Sequence, residues 1–146
     1  MPILGSRRSD RAAHRRPGQA LVEFALVLPL FLLLVAGMVD IGMGLNSSIT
    51  VTNAAREGAR LGIVNPNAAA IEARARGMGT RLDQTALTVA SSCSRQVGSS
   101  PATCTLGAWQ AGDSVIVTVN YDYRLIWPLA MGNTFRLSST AQMRLE

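Results

Sequence analysis

The chain has 146 residues, a formal net charge of +5 and a single histidine, His14, and all 14 of its basic residues are arginine. That length admits one modest domain plus a membrane helix. Two cysteines cannot complete a structural zinc site, no Gly-rich phosphate loop is present, and past the leader neither histidine nor lysine is available to activate a hydroxyl nucleophile, so no catalytic residue, metal or cofactor is expected.

Residues 1–18 form a polar leader in which Arg7, Arg8, Arg11, Arg15 and Arg16 outweigh Asp10. A basic cluster can serve nucleic acid. Beside an apolar span it reads instead as the positive-inside signal, with the N-terminus in the cytoplasm and the C-terminal part outside. The leader ends in Pro17-Gly18. Pro17 is expected to keep the local chain extended, and Gly18 leaves the following peptide bond sterically open.

From Ala20 to Val39 the chain has 20 residues and one charge, Glu23. As a helix this run is roughly 30 Å long, the thickness of a bilayer's hydrocarbon core. A carboxylate inside it is unfavourable in lipid unless something offsets it. Glu23 is either a boundary residue that reaches back to water or a group held for pairing. Pro29 removes one helical hydrogen bond, which a membrane helix tolerates. Asp40 ends the apolar run, and Gly37, Gly42 and Gly44 weaken the helix near the outer interface.

Helical spacing continues through Leu45, Ile49, Thr52, Ala55, Ala59 and Ile63, and Asn65-Pro66-Asn67 stops it. The small residues around Ala55 and Ala59 fit either a face for packing subunits together or an ordinary exposed helix carrying a Glu57–Arg60 pair. A second helix is expected from Ala68 to Leu82. The period then changes to two. Thr85–Cys93 reads as a strand, and a further strand puts Val115, Val117, Val119, Tyr121 and Tyr123 on one face. Phe135–Leu145 reads as the last strand, with Phe135, Leu137, Ala141 and Met143 together. A Ser/Gly/Pro-rich loop is expected to hold Cys93 and Cys104. Outside the cytoplasm these can form a disulfide, the alternative being two free thiols. Trp109 and Trp127 fall near expected loops, as core plugs or as adhesion contacts. The fold class is therefore α+β: a long N-terminal transmembrane helix, a short second helix and an antiparallel sheet of about three strands, with the outer half of the long helix covering one sheet face. The expected divisions are a leader (1–18), a transmembrane helix (19–44), its extracytoplasmic extension (45–64) and an extracytoplasmic head (65–146).

Gly18-Gln19-Ala20-Leu21-Val22-Glu23-Phe24-Ala25-Leu26-Val27-Leu28-Pro29, followed by Asn53-Ala54-Ala55-Arg56-Glu57-Gly58-Ala59-Arg60, resembles the TadE-like family, the minor pilins or pseudopilins of the Tad (tight adherence) branch of type IV pili. The resemblance implies a pilin-like layout and cleavage between Gly18 and Gln19 by a prepilin peptidase. It also implies an assembly role for Glu23, which would pair with a neighbouring subunit's new amine. The implied partners are that peptidase, the major pilin, sibling minor pilins and the inner-membrane assembly platform, with no nucleic acid. Two other readings stay open: a Sec-exported binding domain cut near Gly42-Met43-Gly44, and a permanently anchored, unprocessed one.

Overall fold

The computed structural model describes residues 17–97, 100–108, 110–126 and 133–145, and the leader arginines, His14, Trp109 and Trp127 lie outside them. The chain divides into two compact units, Met1–Val35 and Ala36–Glu146. One helix, α1, runs Pro17–Val64 through Pro29. It starts at the proline, whose missing N–H and fixed φ suit a first helical position, so Pro17-Gly18 is helical rather than extended. Gly18–Val64 is long and apolar enough to cross a membrane, and almost none of its most apolar window is buried. Leu21, Phe24, Leu26, Leu30 and Phe31 are all more than half exposed.

In the second unit, α1 buries Asp40, Gly44, Ser47, Val51, Ala54, Ala55, Gly58, Ala59 and Gly62, with Gly58 and Gly62 packed against both the sheet and the following helical segment. The expected face is corrected: Leu45 and Ile49 are 63% and 61% exposed, while Ala55 and Ala59 are fully buried. Size explains the rotation. A helix lying close on a sheet must turn its smallest side chains inward, whatever the hydropathy of the larger ones. A β-carbon at Gly58 would stand 3.2 Å from both Ala75 Cβ and Val117 Cγ1, and one at Gly62 would stand 2.8 Å from Val115 Cγ1. The hydroxyls of Ser47, Thr50 and Thr52 donate to carbonyls one turn back, at 2.9–3.0 Å, so they sit in the helix without seeking other partners.

A second helix, α2 (Ala68–Met78), is capped by Asn67, whose side chain accepts from the N–H groups of Ala69 and Ala70. It buries Ile71 and Ala75, one turn apart. It stops four residues before the expected Leu82 because Gly77 and Gly79 weaken the helix there. Gly79 N–H turns back to the Arg76 carbonyl at 2.9 Å. The Gln84 side-chain amide donates to the Gly79 carbonyl at 2.7 Å.

The sheet has four antiparallel strands, one more than expected: β1 (Leu87–Val97), β2 (Ser100–Cys104), β3 (Ser114–Arg124) and β4 (Thr134–Arg144) in the order β2-β1-β3-β4. The faces alternate as the period-2 pattern predicts. Val115, Val117, Val119, Tyr121 and Tyr123 are buried, joined by Leu87 and Val89 of β1 and by Val51, Ala54, Ala55, Ala59, Ile71 and Ala75 of the helices. Along β4 only the inner residues from Leu137 onward are partly covered, and Phe135 is 41% exposed. The outer face is polar: Thr118 and Thr140 share a hydrogen bond of 3.0 Å, and Asp122 and Arg136 pair across β3 and β4.

The fourth strand comes from the segment expected to be a loop. Cys93 and Cys104 stand directly opposite each other on β1 and β2, 5.0 Å apart at Cα, and are disulfide-bonded. Pro101 sits on the edge strand, where a missing ladder donor is tolerated. Replacing both cysteines by serine should lower the head's stability by roughly 3 kcal/mol, the chain-entropy figure for so short a loop. Thermal unfolding of the variant checks this, and non-reducing peptide mapping of the wild type should recover the two cysteines in one joined fragment.

Candidate functional site

The residues singled out in the sequence fall in three separate places. Gly18, Gln19 and Glu23 occupy the first turns of α1 and all are exposed. A β-carbon added at Gly18 would meet nothing within 4 Å. The Gln19 side-chain amide donates to Glu23 Oε1 at 3.2 Å, an i,i+4 contact along the helix. Gln19 therefore already provides a partner for the one carboxylate in the apolar run. The first-turn N–H groups of a helix have no partners one turn back, so the chain opens most readily there.

Ala55 and Ala59 form the second place. Both lie in the chain's own core, where they let α1 approach β3. The exposed side of α1 at this level carries Glu57, which accepts from Arg74 of α2 and from Arg60 at 3.1 and 3.2 Å. Arg74 first, and then Arg60, hold its carboxyl below the usual carboxylate range. This triad ties α1 to α2 beside a groove of about 610 Å³ lined by Leu61, Val64, Ala70 and Ala73.

The third place is the end of the sheet that carries the disulfide. Arg95 donates to both oxygens of Asp113, at 2.8 and 2.7 Å, and to the Ala108 carbonyl. Asp113 is 1% exposed and also accepts from Gln110 N–H. The Arg95 guanidinium is the main reason its carboxyl titrates at about 2, with the Gln110 bond adding to the effect and burial opposing it. Cys93, Cys104 and Asp113 approach one another closely enough to suggest a metal. The sulfurs are joined to each other and the carboxylate is held by Arg95, so none of the three is available as a ligand.

Because Asp113 has a folded pKa below its ordinary value of 3.8, its contribution to stability is complete above pH 4 and is lost as pH falls through 2. The urea midpoint of the wild type should fall across that window, and Asp113→Asn should flatten the fall.

Sequence reasoning missed the burial of two carboxylates, Asp113 and Asp40. Asp40 follows the apolar run and reads as a simple boundary. It is 4% exposed, and its carboxylate accepts from the backbone N–H of Ile126 at 3.0 Å. Its carbonyl accepts from the Tyr123 hydroxyl at 3.5 Å. Nothing in the local sequence signals these bonds, since the donors are more than 80 residues away.

Among the described residues, one exposed apolar helix long enough to cross a bilayer accompanies a small α+β head, so an N-terminal helix of this chain could anchor it in a membrane. A family model described as TadE-like protein matches residues 18–60, the stretch on which the sequence resemblance rests. Neither the curated proteins nor the solved structures yield a significant match.

Proposed function

We propose that this chain is a minor pilin or pseudopilin of a Tad-type pilus, processed by a prepilin peptidase between Gly18 and Gln19 and acting structurally in pilus assembly, adhesion or secretion. Residues 1–18 are the cytoplasmic leader, 19–44 cross the inner membrane, 45–64 extend the helix outside and 65–146 complete the head. The major pilin, sibling minor pilins and the inner-membrane assembly platform are its partners. The observation that carries the reading is the contact between Gln19 and Glu23 within the family-matched segment. Cleavage after Gly18 turns Gln19 into the first residue and gives it an ammonium group within reach of carboxylates like Glu23, where a charge-assisted bond is stronger than a neutral one. A neighbouring subunit's Glu23 can accept from the same amine.

The intact mass of the membrane-purified mature chain tests this. A start at Gln19 supports the reading, a start near Leu45 means an ordinary export signal, and a start at Met1 means a permanent anchor. Glu23→Gln tests the assembly step. The amide is nearly isosteric and less costly in lipid, so insertion and cleavage should survive. Recovery of sibling pilins with the processed chain, and the number of surface pili, should both fall clearly. A cleaved variant matching wild type in both would reduce Glu23 to a hydrated boundary residue.

A further inference from the structure

Asp40 sets a level on the molecule. On the single-span reading, on which this inference rests, Val39 is the last residue of the apolar run and Asp40 stands at the outer edge of the hydrocarbon. The headgroup zone adds roughly 5–7 Å on each side of a bilayer, about the rise from Asp40 to Leu45 along a helix.

The base of the head lies at that level. The Asp40 carboxylate holds the backbone of Ile126, just beyond β3, and Phe135, near the start of β4, packs over Gly44, where a β-carbon would stand 3.1 Å from its ring. Ile126 is 55% exposed, Phe135 41%, Ile41 66% and Leu45 63%. Between helix and sheet is a groove of about 220 Å³ with Ile41, Gly44, Leu45, Leu125, Phe135 and Leu137 in its walls. Between Arg124 and Arg136 the sequence carries no charged residue.

We propose that this base is a lipid-contacting surface: Ile126 and Phe135, with the groove beside Ile41 and Leu45, are seated in the headgroup zone of the outer leaflet. Apolar side chains at headgroup depth suit the boundary between acyl chains and headgroups. The tether to Asp40 fixes this surface at one depth relative to the helix. Lipid is favoured over a neighbouring subunit because the apolar surface is contributed jointly by helix and sheet at the one level where the span ends.

The test uses the full chain with its disulfide intact, reconstituted at low protein density in phosphatidylethanolamine/phosphatidylglycerol vesicles. A fluorophore is placed through Ile126→Cys, Phe135→Cys, Leu30→Cys in the span or Gln96→Cys near the far end of β1, each in a separate sample. Quenchers are attached to lipid headgroups or to acyl-chain ends. The expected result is several-fold stronger quenching of the 126 and 135 labels by the headgroup quencher than by the chain-end quencher. The 30 label should respond chiefly to the chain-end quencher, and the 96 label to neither. If label 30 is quenched and labels 126 and 135 are not, the lipid seat is wrong and the membrane span stands. If label 30 is not quenched, the span fails and the proposal with it. Shielding of labels 126 and 135 that appears only as protein density rises would assign the surface to a second protein and overturn the lipid assignment. Two labelled positions on the base keep the result independent of one variant's folding.

Discussion

Gly18→Leu is expected to leave the chain at full length, still beginning at Met1, while wild type accumulates as the form beginning at Gln19. The effect should be close to all-or-none. Gly18 stands on the exposed first turn of α1 with nothing within 4 Å of the position a side chain would take. Leucine is also a better helix former than glycine by close to 1 kcal/mol. On the proposed processing, the substitution is expected to leave the fold intact and to act on the peptidase's access to the bond, by crowding it and by stabilising the turn that must open. Gly18→Ala, which adds one methyl to the same open space, should be cut at an intermediate rate. Intact masses of membrane-extracted protein after matched expression give the measurement. Normal processing of Gly18→Leu would mean that the cut lies elsewhere or does not occur.

Gly62→Leu should have the largest effect on stability. Its β-carbon alone would come within 2.8 Å of Val115 Cγ1 and 3.2 Å of Ile71 Cδ1, and both of those residues are fully buried. Neither can withdraw without disturbing β3 or α2. Overpacking of this kind costs about 1–3 kcal/mol for a methylene or two, and leucine adds more, so the melting temperature of the head should drop by ~10 °C or more. Gly77→Ala is the control. That position in α2 has no atom within 4 Å of an added β-carbon, and alanine should raise the midpoint slightly by its better helix propensity. Thermal melts of the detergent-solubilised chain compare the two. Equal midpoints for Gly62→Leu and wild type would refute the close packing of α1 on β3.

The elements most legible in the sequence were those with a strong period or a strong stop. The apolar run, the Asn65-Pro66-Asn67 break and the alternation along Val115–Tyr123 each reflect a local rule, and each appears in the fold. The inward face of α1 was not legible. Hydropathy points to Leu45 and Ile49, whereas the packing distance to β3 selects Gly58, Ala59 and Gly62, a choice made by a partner 50 residues away. The extra strand was obscured by Ser, Gly and Pro, which usually mark loops. Register with β1, which places Cys93 opposite Cys104, outweighs that composition. The Gln19–Glu23 contact could be read directly, being one helical turn long. The Arg95–Asp113 and Asp40–Ile126 bonds could not, because each joins residues brought together only by the finished sheet.

The close fit of α1 against β3 also has a mechanical meaning. The helix meets that strand near Asp40 at Tyr123, at Gly58 beside Val117 and at Gly62 beside Val115, so the two run alongside each other for several turns. A force along the Ala36–Val64 part of α1 would pull along this seam. It loads the contacts together, in shear, instead of peeling them apart one by one from an end. Side chains seated over Gly58 and Gly62 act as teeth against sliding. Within the Ala36–Glu146 unit, helix and strand are thus joined by a geometry that resists sliding along their common axis.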